Sequence, residues 1–390
     1  MNKEYLKIES KLKYFIFLCL YFALYPFCKL IYGRKNNWLI CERGTEAQDN
    51  GFVFFKYLVE NHPNIQPVYL IKKTSPEFNK VSTVGRTVEF GSLKHFLMVI
   101  GFPVKISSHL FGYAPWRSMS LYFRRNKTHD IHVFLQHGIT KNDHKGLYGD
   151  VCKSLDLFIC GAKPEFEAIK STFHYNNSVP QYTGFARYDL LNNFSIKKQI
   201  LIMPTWRADL SRVSETDFLQ SDYYKAWNGL LSNAEFSDLC SRNNIYVKFY
   251  LHSSMQHFSN LFKTKNFSII KFGEDTVQNL LKESALLITD FSSVYFDFGY
   301  MLKPIVYYQF DEATFNNEHY EKGYFDYRRD GFGNVCLDSK SLLQSIKHVV
   351  EKKFILDDEY KTRLERFFVF RDNKNCDRIF DSILKLVEIK

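Results

Sequence analysis

The 390-residue sequence has eight cysteines but no C-x-x-C pair. That spacing excludes a disulfide frame or a zinc site and reads as reduced, mostly buried thiols of a cytosolic protein. It also lacks zinc-finger spacing, an RNP-type stretch and any dense Lys/Arg run. A net charge of +10 therefore does not point to nucleic acid. There are no internal repeats and no low-complexity tract.

What is present suits a globular chain. Apolar residues make up 45% and charged residues 24%. The length exceeds one ordinary core and suits two domains. Aromatics reach 17%, with 38 Phe and 25 Tyr, a content that suits work close to lipid. With nucleic acid set aside, a basic chain suits an anionic membrane surface or phosphorylated substrates.

The stretch YFIFLCLYFALYPFCKLIY, from Tyr14 to Tyr32, is almost wholly apolar and aromatic. Residues 1–35 hold seven Lys or Arg against two Glu, a net of +5. A cleaved signal peptide is disfavoured because no small-x-small cleavage site follows. The length is just adequate to span a bilayer. Pro26, Lys29 and the Tyr/Phe/basic composition favour a helix lying in the headgroup layer. Either reading places the rest of the chain at the cytoplasmic face of a plasma membrane.

Beyond residue 36, short apolar strands alternate with amphipathic helices. Strands are expected at 38–42, 67–72, 104–109, 131–138 and 155–162, with helices at 50–63, 92–101 and 164–173. Residues 178–191 read as a loop. A second alternation places strands at 197–206, 245–253, 267–273, 285–293 and 304–310, with helices at 236–244, 276–284, 339–353 and 358–389. Alternation of this kind implies α/β architecture: two Rossmann-like doubly wound domains with a cleft between them. The expected division is a membrane-associating segment over 1–35, domains over 36–195 and 196–350, and C-terminal helices over 351–390 packing back across the domains.

Ligands in such folds meet the carboxyl ends of strands, and polar clusters fall there. Gln136-His137-Gly138, Pro204-Thr205-Trp206-Arg207, His252-Ser253-Ser254 and Thr289-Asp290-Phe291-Ser292-Ser293 each end an expected strand. The last cluster opens a helix. Its serines either cap that helix or offer hydroxyls to an anion beside the helix N-terminus. Four such strand ends exceed what capping requires and favour the anion. Arg207 offers a planar fork for phosphate. Thr289 and Asp290 shape the turn or hold a ribose. Asp297 lies one turn further on. Arg187 and Asp189 could form an ion pair that braces the loop between the domains.

These motifs, in order over residues 100–385, resemble those of the CDP-glycerol glycerophosphotransferases. LQHGIT (135–140), TGFARYDLL (183–191), LIMPTWR (201–207), YLHSS (250–254), ITDFSSVYFDF (288–298), GYFDYRRDGFG (323–333) and FFVFRDNKNCDRI (367–379) are similar to that family's successive segments. Gln136 and Ile139 around His137, and Ser253 after His252, depart from its pattern, which leaves the acceptor and the polyol open. The resemblance implies a glycosyltransferase-B-like fold. It implies transfer of glycerol phosphate or ribitol phosphate from CDP to a hydroxyl of a lipid-linked oligosaccharide, teichoic-acid or capsular-type polymer, with CMP released.

It further implies His137 as base, with Gly138 beside it on the acceptor side. His252, as imidazolium, would serve the leaving group. Pro204, Thr205, Arg207, Ser253, Thr289, Asp290, Ser292, Ser293 and Asp297 would lie around the donor. The competing reading is a CMP-sugar-dependent transferase of sialyl or Kdo type; a non-catalytic membrane-bound scaffold is a third. No cofactor is firmly implied. A divalent cation is compatible with a diphosphate donor, but Asp290, Asp297 and Asp311 are not spaced as an Asp-x-Asp cluster, so no protein metal site is expected. A homo-oligomer is compatible with all of these features.

Overall fold

A computed structural model describes residues 3–144, 148–149, 152–192, 194–264, 267–318 and 323–390. Residues 1 and 2 of the expected membrane-associating segment lie outside the described residues. The chain forms two compact units: residues 1–140, 144–189 and 370–390, and residues 141–143 and 190–369.

The first unit holds a parallel sheet of seven strands: β1 (Asn37–Cys41), β2 (Gln66–Ile71), β3 (Thr87–Glu89), β4 (Val104–Ser107), β5 (Ile131–Phe134), β6 (Leu155–Cys160) and β7 (Pro180–Tyr182). Their order is β3-β2-β1-β4-β5-β6-β7. β1, β4, β5 and β6 are buried along nearly their whole length. A parallel strand covered by helices on both faces reads as a continuous apolar run, as here.

The second unit repeats the plan with β8 (Gln199–Ile202), β9 (Tyr246–Phe249), β10 (Ser268–Ile269), β11 (Leu286–Thr289), β12 (Ile305–Tyr308) and β13 (Gly333–Cys336), in the order β10-β9-β8-β11-β12-β13. Its core gathers Ile200, Trp227, Phe249, Ile288 and Ile346. In both units the first strand sits mid-sheet and the chain winds outward both ways, which is the doubly wound topology.

Three expectations change. The loop expected at 178–191 contains β7 and a short 3-10 turn at Ala186–Leu190. Residues 333–336 form β13, which the turn-rich motif around them had hidden. The expected C-terminal segment 351–390 divides: a helix at Asp358–Phe367 belongs to the second unit, and one at Asn375–Ile389 belongs to the first.

The N-terminal helix runs from Lys3 to Tyr32, and its stretch Tyr14–Tyr32 is long and apolar enough to cross a membrane by length and composition. It is not detached from the fold. Phe17, Tyr21 and Cys28 are buried in the first unit's core. The Leu93–Gly101 helix approaches so closely that a Cβ on Gly101 would lie 2.5 Å from the Cys28 carbonyl oxygen. Phe15, Phe22, Phe27 and Leu30 face outward and are exposed. One face therefore packs on protein, and the other is unpartnered among the described residues.

Candidate active site

In the second unit, β9, β8, β11 and β12 are consecutive neighbours, all parallel. The residues that follow them share one edge of the sheet. That edge brings together His252 and Ser253 after β9, Pro204–Arg207 after β8, Asp290–Ser293 after β11, and Asp311 after β12.

Asp290 is the hub and is fully buried. Its Oδ1 accepts the backbone N–H of Thr205 (2.7 Å) and of Phe291 (2.7 Å), and its Oδ2 accepts Arg207 Nη2 (2.8 Å). Arg207 also grips Asp311 through Nε (2.9 Å) and Nη2 (3.1 Å), and donates from Nη1 to the Thr205 carbonyl (2.9 Å). Burial works against the guanidinium charge, but Asp290 and Asp311 outweigh it and hold the pKa above its ordinary value. Arg207, expected to reach a phosphate, is instead committed to two carboxylates. The physical reason is its planar fork: it matches carboxylate geometry, and it answers the buried Asp290 and the half-buried Asp311 at once. Thr289 is likewise structural, its hydroxyl donating to the Met203 carbonyl (2.6 Å). Pro204 is buried in the same turn. Thr205 Oγ1 is buried with no hydrogen-bond partner among the described residues.

The serines answer differently. Ser293 precedes the Val294–Tyr300 helix with αR backbone and makes no side-chain cap. Among the described residues the hydroxyls of Ser292 and Ser293 form no hydrogen bond, and Ser293 is exposed. Capping does not use them. Asp297 sits half-buried on the same helix.

His252 stacks on Trp206, ring centroids 5.8 Å apart. Its Nδ1 accepts the Ser254 N–H at 3.2 Å. A ring nitrogen that accepts carries no proton, so the neutral imidazole bears its hydrogen on Nε2. Burial also lowers the pKa. The expected imidazolium is therefore corrected to a neutral Nε2–H donor.

His137 belongs to the first unit, where β5 ends earlier than expected, at Phe134. The turn is held by buried polar contacts. Gln136 takes a left-handed backbone (φ 59°) and donates to the Ile159 carbonyl (2.7 Å) and to Glu165 (3.0 Å). Thr140 donates its N–H to Glu165 (2.6 Å) and its hydroxyl to Gln136 (2.6 Å). Burial raises the Glu165 pKa to about 7 against these bonds. Gln136, one of the departures from the family pattern, is 1% exposed and turned inward.

The loop presents His137, exposed at one edge, with half-buried Gly138 beside it. The His137 ring stacks on His109 at 4.6 Å. Its Nδ1 lies 3.4 Å from the Ser108 carbonyl oxygen. A carbonyl only accepts, so Nδ1 carries the hydrogen and Nε2 the free lone pair. Surrounding protein lowers the pKa, with Asp49 opposing and Arg187 and Arg43 assisting. His137 and His252 thus hold opposite tautomers: a lone pair at Nε2 in one, an N–H at Nε2 in the other.

The expected Arg187–Asp189 pair is replaced. Arg187 pairs with Asp49 (2.6 Å) and Asp189 accepts the N–H groups of Asn375 (3.0 Å) and Cys376 (2.8 Å). The Asp189 carboxylate answers the positive N-terminus of the Asn375–Ile389 helix. Lys141 escaped the sequence reading. It belongs to the second unit and donates to the Phe291 carbonyl at 2.7 Å. Its position four residues after His137 was the available signal. Among the described residues, no group of three His, Cys, Asp or Glu is placed to hold a metal.

A family model described as CDP-Glycerol:Poly(glycerophosphate) glycerophosphotransferase matches residues 26–385. The minor teichoic acid biosynthesis protein GgaB of Bacillus subtilis (strain 168) is 31% identical over 368 residues, 91% of this chain and 40% of that protein. The teichoic acid poly(glycerol phosphate) polymerase of the same organism is 20% identical over 369 residues, 88% of this chain and 48% of that protein. The chain thus spans less than half the length of these two relatives. A solved structure of the wall teichoic acid polymerase TagF has the same fold, with a TM-score of 0.69 and 16% identity over 100% of this chain and 99% of that one. The chain belongs to the CDP-glycerol:poly(glycerophosphate) glycerophosphotransferase family.

Proposed function

We propose that the chain transfers glycerol phosphate, or ribitol phosphate, from a CDP-polyol to a hydroxyl of a membrane-linked teichoic-acid or capsular-type acceptor. The acceptor oxygen forms a bond to the polyol-bearing phosphorus, the pyrophosphate P–O bond breaks, and CMP leaves. His137 Nε2 takes the acceptor proton as general base. His252 Nε2–H donates to the CMP oxygen on which charge develops. Ser292, Ser293 and the Thr205 hydroxyl hold the donor phosphates, with Ser253 beside them, while Asp290, Arg207 and Thr289 keep the turns that present them. The observation that carries this reading is the shared edge of β9, β8 and β11, where hydroxyls unused by the fold meet a histidine fixed as a donor.

The N-terminal helix rests its exposed aromatic face on an anionic membrane at the cytoplasmic side, near a lipid-linked acceptor.

A donor screen with CDP-glycerol, CDP-ribitol and CMP-sialic acid, read by CMP release and product mass, tests the reading. CMP release with a CDP-polyol is expected. Turnover only with the CMP-sugar overturns it.

A further inference from the structure

Residues 141–143 leave the chain just after the His137 loop and belong to the second unit. Lys141 is held there by two neutral acceptors, the Phe291 carbonyl at 2.7 Å and the Tyr327 hydroxyl. Its Nζ lies 5.1 Å from the centre of the Tyr295 ring and 4.7 Å from that of Tyr327. The backbone is clamped too, since a Cβ on Gly323 would fall 2.1 Å from the Lys141 carbonyl oxygen.

A lysine ammonium has three N–H groups. Two are used here, and among the described residues no carboxylate lies within ion-pair distance of the amine. Aromatic faces and carbonyls select a cation but leave its charge unneutralised. Lys141 lines a cavity of about 310 Å³ with Phe291, Tyr327, Arg328 and two acids, Glu312 and Asp326. That volume is at the small end of the roughly 300–1,000 Å³ range of ligand pockets. The neighbouring cation is occupied: Arg328 is bound to Glu312 through both Nη atoms (2.6 and 2.8 Å). Among the described residues, Lys141 is therefore the lining cation whose charge no carboxylate answers, and it shares the Phe291 turn with Ser292.

We propose that Lys141 is a ligand-binding residue that gives its third N–H to the phosphoryl group of a polyol phosphate ester seated in this cavity. The inference rests on the donor-site reading above and extends it to a residue outside the strand-end clusters. The phosphoryl group belongs either to the polyol end of the donor or to the terminal unit of the acceptor.

Burial lowers the Lys141 pKa to about 7, with Asp290 opposing. The ammonium is present below that pH and lost above it, so the contact weakens as pH rises. Other titratable groups also face the amine, and the test below spans a window from pH 6 to 8.5. Tyr295 and Tyr327 are raised far above that window. Asp290 is paired with Arg207, and Glu312 with Arg328. Asp326 caps its own turn. His144, on the same segment, is common to wild type and to K141R and cannot distinguish them.

The test is calorimetric titration of the full chain and of Lys141→Met and Lys141→Arg with CDP-glycerol, CMP and glycerol 3-phosphate at pH 6 and 8.5. The lost charged contact should weaken polyol-phosphate binding to K141M by about ten-fold or more at pH 6, with CMP binding unchanged. For CDP-glycerol, whose pyrophosphate keeps its charge across this range, wild-type affinity should fall between pH 6 and 8.5, and that of K141R should stay flat because its guanidinium keeps its charge. Weakening for CDP-glycerol assigns the donor end, and weakening for glycerol 3-phosphate alone assigns the acceptor end. Equal affinities for both ligands in K141M and wild type overturn the proposal, as does a pH fall retained in K141R. Failure of the donor reading is separate: the wild type would then bind neither CDP-glycerol nor CMP, and the glycerol 3-phosphate titrations would still decide the role of Lys141.

Discussion

Replacing Arg207 with Met separates a brace from a ligand contact. The Arg207 side chain is 5% exposed, Asp290 0% and Asp311 20%. Removing the guanidinium strands a fully buried carboxylate, although two backbone N–H groups remain on its Oδ1. Breaking a buried pair by removing one partner costs about 3–5 kcal/mol. Stacking is lost as well, since the guanidinium lies 4.6 Å from the centre of the Phe315 ring. For a unit of this size, each kcal/mol moves the melting temperature by about 2–4 °C. The second unit should therefore melt roughly 6–20 °C lower. Scanning calorimetry of the full chain reads that shift. CDP-glycerol titration, well below the melting temperature, should show an affinity within about three-fold of wild type, because the missing bonds ran to protein. A double mutant with Asp311→Asn should fall short of additivity, with a coupling of about 0.5–3 kcal/mol. A variant that melts within about 1 °C of wild type yet loses ten-fold or more in CDP-glycerol affinity would refute this reasoning and return Arg207 to the phosphate.

Ser292→Ala with Ser293→Ala should raise the CDP-glycerol dissociation constant about ten-fold or more. Its melting temperature should match wild type, because neither hydroxyl caps the helix; a lowered melting temperature with unchanged binding would make them caps. His137→Ala should lower kcat by about 10²–10⁴-fold with CDP-glycerol binding intact. In the wild type a base with a lowered pKa is already deprotonated at neutral pH, so the acid limb of kcat/KM should lie below the ordinary histidine value of about 6.5; a limb above it, or a kcat loss under five-fold, removes His137 as base.

Much of the architecture was legible because parallel strands buried on both faces are unbroken apolar runs. LLIT at β11 and IVYY at β12 could hardly be anything else once Asp-Phe-Ser-Ser and a helix separated them. The elements that escaped are those whose burial owes more to neighbours than to their own composition. β13 is Gly-Asn-Val-Cys, and its glycine is there because a Cβ would meet the Ile305 carbonyl oxygen at 1.8 Å. The positions of candidate site residues were readable from strand ends, but their roles were not. Nothing in Pro-Thr-Trp-Arg says that the arginine turns back to an acid 83 residues away. Likewise nothing in Leu-Gln-His-Gly says that Gln136 folds inward under a left-handed backbone.

The same logic sorts binding groups from bracing groups at this edge. A loop that ends a buried strand must satisfy its own backbone N–H and C=O groups before it can serve a ligand. The acids and the arginine do this here: Asp290 takes two N–H groups, and Arg207 takes a carbonyl and both acids. Longer-range charge is thus spent inside the protein, and the groups left over are short, neutral donors: two serine hydroxyls, one threonine hydroxyl and an imidazole N–H. In the proposed reaction, neutral donors hold a diphosphate without fixing it as tightly as a cation would, so that CMP departs once its bond breaks. Lys141, beside this edge, is the exception: a cation with no carboxylate within ion-pair distance among the described residues. In the role proposed for it, a charge that is itself marginal near pH 7 favours a bound phosphoryl group and still releases it.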